Sequence, residues 1–133
     1  MKRSLFVICI FLGLCYSCKP KKQTEKSDAI KLKNHAKQNS IEVGEKLFKG
    51  KGNCISCHHI NKNSIGPSIT EIVKIYKEQN ADMVAFLKQE AEPIVQPEHY
   101  SVMKTNFAVL KTFSEEELEA LTKYIYAFVD DNK

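Results

Sequence analysis

The chain has 133 residues, 43% of them hydrophobic and 27% charged, with a formal net charge of +4. That length holds one small domain with extensions, because compact domains usually run to about 100–150 residues, so a multidomain enzyme is excluded. The composition also excludes wholesale disorder, a collagen-like repeat and a polytopic membrane protein. The charge is uneven: Lys2 and Arg3 give +2, residues 19–39 carry seven lysines against Glu25 and Asp28 for +5, and residues 40–133 carry eleven lysines against fourteen acids for −3. The part able to fold is mildly acidic and has no arginine, which sets nucleic-acid binding aside.

Met1-Lys2-Arg3 followed by the apolar run Leu5 to Leu14 reads as a signal peptide over residues 1–17. The run is too short for a bilayer-spanning helix, which needs about 20 apolar residues. Ser17-Cys18 resembles the junction of a bacterial lipoprotein signal, in which the cysteine is lipidated and becomes the mature N-terminus. The departure is Cys15, where that pattern usually has Leu. An ordinary secretory signal or an uncleaved short anchor is the alternative. With Cys9 and Cys15 removed and Cys18 lipidated, Cys54 and Cys57 remain as a pair, which suits an oxidising envelope compartment.

Residues 18–39, the lipidated end and the basic stretch after it, have few apolar positions and are expected to form a flexible tether. Its lysines either touch anionic headgroups or form a solvated spacer. The folded domain is expected over 40–133. Asn39 or Ser40 is expected to cap a first helix carrying Val43, Leu47 and Phe48, with Gly44 leaving room for a neighbouring helix. Ser68-Ile69-Thr70-Glu71 has capping-box form and opens a helix with Ile69, Ile72, Val73 and Tyr76 on one face. Asn80 is expected to cap a short helix with Met83, Val84, Phe86 and Leu87 that stops before Pro93. Ser114-Glu115-Glu116-Glu117 is a second capping box, followed by Leu118, Leu121, Tyr124, Ile125 and Phe128 along one face. No stretch alternates at period two and no internal repeat is present, so the domain is expected to be all-α. The 94 residues from Ser40 onward bury a modest core, a size at which domains often recruit a covalent or metal staple.

Cys54-Ile55-Ser56-Cys57-His58 is C-x-x-C-H, the attachment signature of c-type haem. Two intervening residues put both sulfurs on one side of a helical turn, where each can form a thioether with a vinyl group, and the next residue is placed beneath the iron. Three other chemistries use the same residue types. A thioredoxin-like redox pair needs a βαβ setting, which the pattern lacks. A zinc site would draw on Cys54, Cys57 and two of His58, His59 and His99. A Cys54–Cys57 disulfide would close a very small loop.

On these residues the domain resembles a class I, monohaem cytochrome c over residues 40–128. Gly44 and Phe48 match that family's first helix, which packs on the last, here Leu121, Tyr124 and Ile125. Ile65-Gly66-Pro67-Ser68 resembles the element after the haem site whose proline carbonyl accepts a hydrogen bond from the axial histidine. The resemblance therefore implies four to five short helices around one covalent haem c held by Cys54 and Cys57, with His58 as proximal ligand oriented by Pro67. It also implies a methionine as sixth ligand, carried on a loop ending in an aromatic residue, and Met103, in Met103-Lys104-Thr105-Asn106-Phe107, is the best match, with Lys104 where proline is common. Met83 and His99 are the competing ligands, and an open sixth site is the remaining case.

His/Met ligation implies a one-electron carrier rather than an enzyme. It is expected to be a monomer, exported and lipid-anchored on the periplasmic side, exchanging electrons with membrane-bound or soluble redox proteins. An open sixth site implies instead a haem sensor or peroxidase-like protein. Membership of a larger oxidoreductase complex is a third reading.

Overall fold

The computed structural model describes residues 25–130; residues 1–17 and Cys18, read as signal and lipidation site, lie outside them. The chain divides after Lys33 into two units, and the packed core belongs to the second. Helix α1 spans Glu25–Lys49. This corrects the expected start at Asn39 or Ser40. No glycine or proline interrupts residues 25–43 and most positions are good helix formers, so nothing stops the helix there. Ser40 is not a cap at all: its hydroxyl donates to the Lys37 carbonyl at 2.8 Å, the back-bonding of a residue inside a helix.

Beyond Gly50-Lys51-Gly52 comes a single 3₁₀ turn at Cys54–Ser56. Helix α2 spans Ile69–Glu78, α3 Met83–Leu87, α4 Tyr100–Met103, α5 Phe107–Leu110 and α6 Glu115–Asp130. No strand occurs among the described residues, and the all-α fold is as expected.

The core is read directly from the periodicities. Ile69, Val73 and Tyr76 are buried on α2, Met83 and Leu87 on α3, and Leu118, Leu121, Tyr124 and Ile125 on α6. Val73 and Leu121 are fully buried where α2 and α6 meet. On α1 the buried face is Gly44, Leu47 and Phe48, whereas Val43, expected among them, is exposed. Gly44 sets that face. A Cβ built on it would lie 2.7 Å from Tyr124 Cβ and collide with the Ala120 carbonyl, so α1 and α6 approach to near backbone contact there. Phe48 then packs edge-on against Tyr124 at 5.6 Å between ring centres, and Tyr124 against Phe128 at 4.7 Å.

The helix starts divide into two kinds. At Ser114 the capping box is complete: Glu117 N–H donates to Ser114 Oγ at 3.2 Å and Ser114 N–H donates to the Glu117 carboxylate at 2.8 Å. At Ser68 only half forms, with Glu71 N–H donating to Ser68 Oγ at 3.1 Å. The Ser68 N–H donates instead to Asn63 Oδ1 at 2.8 Å. For α3 the cap is Asp82, whose carboxylate accepts from Ala85 N–H at 3.0 Å, and not Asn80. Asn80 takes a left-handed φ of 48° just past α2, a conformation asparagine tolerates better than most residues.

Two outcomes follow from these contacts. Gly44→Val should lower stability by about 2–3 kcal/mol through overpacking of the α1–α6 seam, read as a shift in denaturant midpoint. Ser114→Ala should cost about 1 kcal/mol through loss of the cap, measured in the same way.

Candidate functional site

One cavity, enclosing about 270 Å³, lies inside the second unit. Cys54, Cys57 and His58 line it, as do Pro67, Met83, His99 and Met103. It therefore brings together the residues of the second unit that the sequence marked as haem attachment points or iron ligands. His59 does not line it; it lines a neighbouring groove with Ile55 and Ile60, which His58 also borders.

The cysteine pair is placed by local backbone bonding. Asn53 adopts a left-handed φ of 48°, reversing the chain after α1 and opening the 3₁₀ turn. Cys57 N–H and His58 N–H both donate to the Cys54 carbonyl, at 3.2 and 2.9 Å. A single helical turn thus carries both thiols and the imidazole. Both cysteines are free thiols, half-buried. Burial pushes the Cys54 thiol up to about 11, so it stays protonated at neutral pH.

His58 is held from two sides. Its Nδ1 lies 2.8 Å from the Pro67 carbonyl oxygen. A carbonyl can only accept, so Nδ1 carries the proton and Nε2 is left with its lone pair. Burial lowers the imidazole pKa and the Pro67 hydrogen bond partly offsets this, so the ring is neutral. Gly66 lies against the same ring: a Cβ there would sit 2.6 Å from His58 Cε1 and 3.0 Å from Nδ1. Gly66 N–H donates to the Cys57 carbonyl at 3.0 Å, which closes the loop back on the motif. Pro67 is thus reached by a chain path that only a side-chain-free residue at 66 permits.

Met103 ends α4 and is half-buried, packed against the core. The segment around it, expected as a loop, is a run of short helical turns. Tyr100, Met103, Phe107 and Leu110 recur at spacings of three, four and three, a helical signal carried by the sequence itself. Lys104 belongs to this arrangement, since its N–H donates to the Tyr100 carbonyl, a bond that proline could not make. Met83 is buried in the core on α3. His99 is exposed, with Nδ1 3.3 Å from Gln96 Oε1.

Several lining residues went unnoticed in the sequence. Phe86 and Tyr100 form part of an aromatic cluster with Tyr76 and Phe107, at ring separations of 5.7 to 6.3 Å. Gln96 sits in a left-handed conformation and donates to the Glu71 carboxylate at 3.2 Å. Asn106 donates to the Gly52 carbonyl at 3.0 Å. The forewarnings were Phe86 and Tyr76 on apolar helix faces and Glu71 as half of a capping box, none of them read as part of the site.

The donor set fits a covalently attached haem: two free thiols on one turn, a neutral imidazole with its far nitrogen free, a thioether, and walls of Ile, Phe and Tyr suited to a flat apolar ring. The rival chemistries fare worse. Among the described residues no strand supports a thioredoxin-like unit, and no group of three or more His, Cys, Asp or Glu is arranged to hold a metal ion. Comparison with curated proteins finds no match. Comparison with protein families matches residues 41–127 to the family described as Cytochrome c, and that span is most of the chain. The chain belongs to the cytochrome c family, and with that membership come a covalently bound haem and haem-based electron transfer.

Proposed function

We propose that the protein is an exported, lipid-anchored one-electron carrier of the cell envelope. In this reading Cys54 and Cys57 hold one haem c through thioethers, His58 Nε2 is the proximal ligand and Met103 sulfur the distal one. When bound, the haem supplies an iron that alternates between ferrous and ferric states. The observation carrying the reading is that Cys54, Cys57, His58 and Met103 line one cavity while Pro67 fixes the His58 tautomer.

The chain's own residues would do the following. Pro67 holds the imidazole in orientation and raises its basicity through the Nδ1 bond. Tyr76, Phe86 and Tyr100 keep water from one wall, which limits solvent reorganisation. The Met103 thioether would favour the reduced state relative to a nitrogen ligand, and with His58 and Met103 both bound to the iron no site would remain for a substrate. Export and anchoring rest on Leu5 to Leu14 and on Ser17-Cys18, and the lysines of residues 19–39 would either meet anionic headgroups or form a solvated spacer. On the periplasmic side the partners would be a membrane-bound or soluble donor and acceptor, met by a monomer. The anchor would raise the local concentration without tight docking.

The test uses protein purified from cells competent for cytochrome maturation. Its reduced spectrum should show a sharp c-type α band, and the haem should stay with the polypeptide in acid acetone. The ferric protein should show a far-red methionine-to-iron band. Met103→Ala should abolish that band, lower the midpoint potential by on the order of 0.1 V, and let carbon monoxide bind the ferrous form rapidly. Rapid carbon monoxide binding by the unaltered protein would instead favour a sensor or peroxidase-like role. Gly66→Ala should leave both thioethers intact but displace the His58 ring, with a stability loss of about 1–3 kcal/mol in denaturant titration and a changed potential.

A further inference from the structure

Glu71 occupies the position from which a capping-box glutamate reaches back to its own helix start. It does not do so, because Ser68 N–H is bound by Asn63. Its carboxylate instead accepts from Gln96 Nε2, at 3.2 Å to one oxygen and 3.4 Å to the other. The other end of the Gln96 amide faces His99 Nδ1 at 3.3 Å, so both halves of the amide are engaged. Gln96 makes this contact from a backbone at φ 45°, ψ 59°, a left-handed conformation that is strained for a residue with a side chain. Surrounding contacts must hold it there, and the charge-assisted bond to Glu71 is one of them.

A second bond lies on the other side of Met103. Asn106 Nδ2 donates to the Gly52 carbonyl at 3.0 Å, joining the turn after Met103 to the peptide just ahead of the Cys54 turn. Residues 96 to 106 are thus tied at one end to α2 and at the other to the wall that carries the thiols. Gln96, Met103 and Asn106 all line the cavity.

We propose that these two hydrogen bonds act as a strap that keeps Met103 seated, making Gln96, Glu71 and Asn106 positioning residues that set how often the sixth coordination position opens; this rests on Met103 being the distal ligand. The strap acts through backbone placement. When either bond is absent, the segment between the two ties gains freedom and the thioether is released more often. The strap therefore separates a sealed electron carrier from a state that admits external ligands.

The haem-loaded protein decides this through the rate at which imidazole enters the ferric form, with the far-red band as companion signal. Gln96→Asn keeps an amide and suits the left-handed backbone, but it is one methylene too short for Glu71. Asn106→Leu keeps the volume and removes the donor. Each should speed imidazole entry roughly ten-fold with little change in thermal midpoint. Gln96→Glu sets two carboxylates together and should speed it further, whereas Glu71→Gln with Gln96→Glu rebuilds the bond in reverse and should return the rate towards that of the unaltered protein. Unchanged rates in both Gln96→Asn and Asn106→Leu, or a double variant no slower than Gln96→Glu alone, would overturn the strap. Absence of the far-red band from the unaltered protein would overturn the ligand assignment on which it rests.

Discussion

A carbonyl oxygen has no proton to give. The 2.8 Å contact between the Pro67 oxygen and His58 Nδ1 therefore determines which imidazole nitrogen is available for coordination. Much of the surrounding architecture serves that contact. Asn53 turns the chain so that Cys54, Cys57 and His58 share one helical turn. Gly66 lets the returning loop lie against the ring, and its N–H pins the loop to Cys57. The Ser68 cap then starts α2 immediately after Pro67, so the carbonyl is held by a fixed helix end. A neutral imidazole held in this way would be a ligand organised before the metal arrives.

The opposite wall is built by other means. There the chain relies on aromatic packing of Tyr76, Phe86, Tyr100 and Phe107, and on short helical turns too small to be stable by themselves. The contrast matters for redox behaviour. One wall is fixed by backbone hydrogen bonds, and the other depends on side chains that can be exchanged.

Much of this was legible in the sequence, for identifiable reasons. The buried faces of α2, α3 and α6 follow from apolar spacing, the Ser114 cap from its acids, and the Gly44 contact from one missing side chain in an otherwise well-formed helix. The C-x-x-C-H spacing is a geometric constraint in its own right, which is why Cys54, Cys57 and His58 could be named together. Where the reading failed, the information was not local. Glu71 matches a capping box perfectly well, and only the three-dimensional course of residues 93–99 reveals a competing partner in Gln96. Ser40 looked like a cap because caps and internal back-bonding use the same residue types. The Tyr100, Met103, Phe107, Leu110 spacing was visible, but the broken run of short turns hid it behind the expectation of a loop.

The seam at Gly44 ties the first helix of the core to residues 120 and 124, almost the full span of the domain away. Contacts this distant in sequence cannot form until the end of the chain is available, and the entropy of closing so large a loop makes them late even then. Until that end arrives, Cys54 and Cys57 lie on a chain that the Gly44 seam has not yet closed.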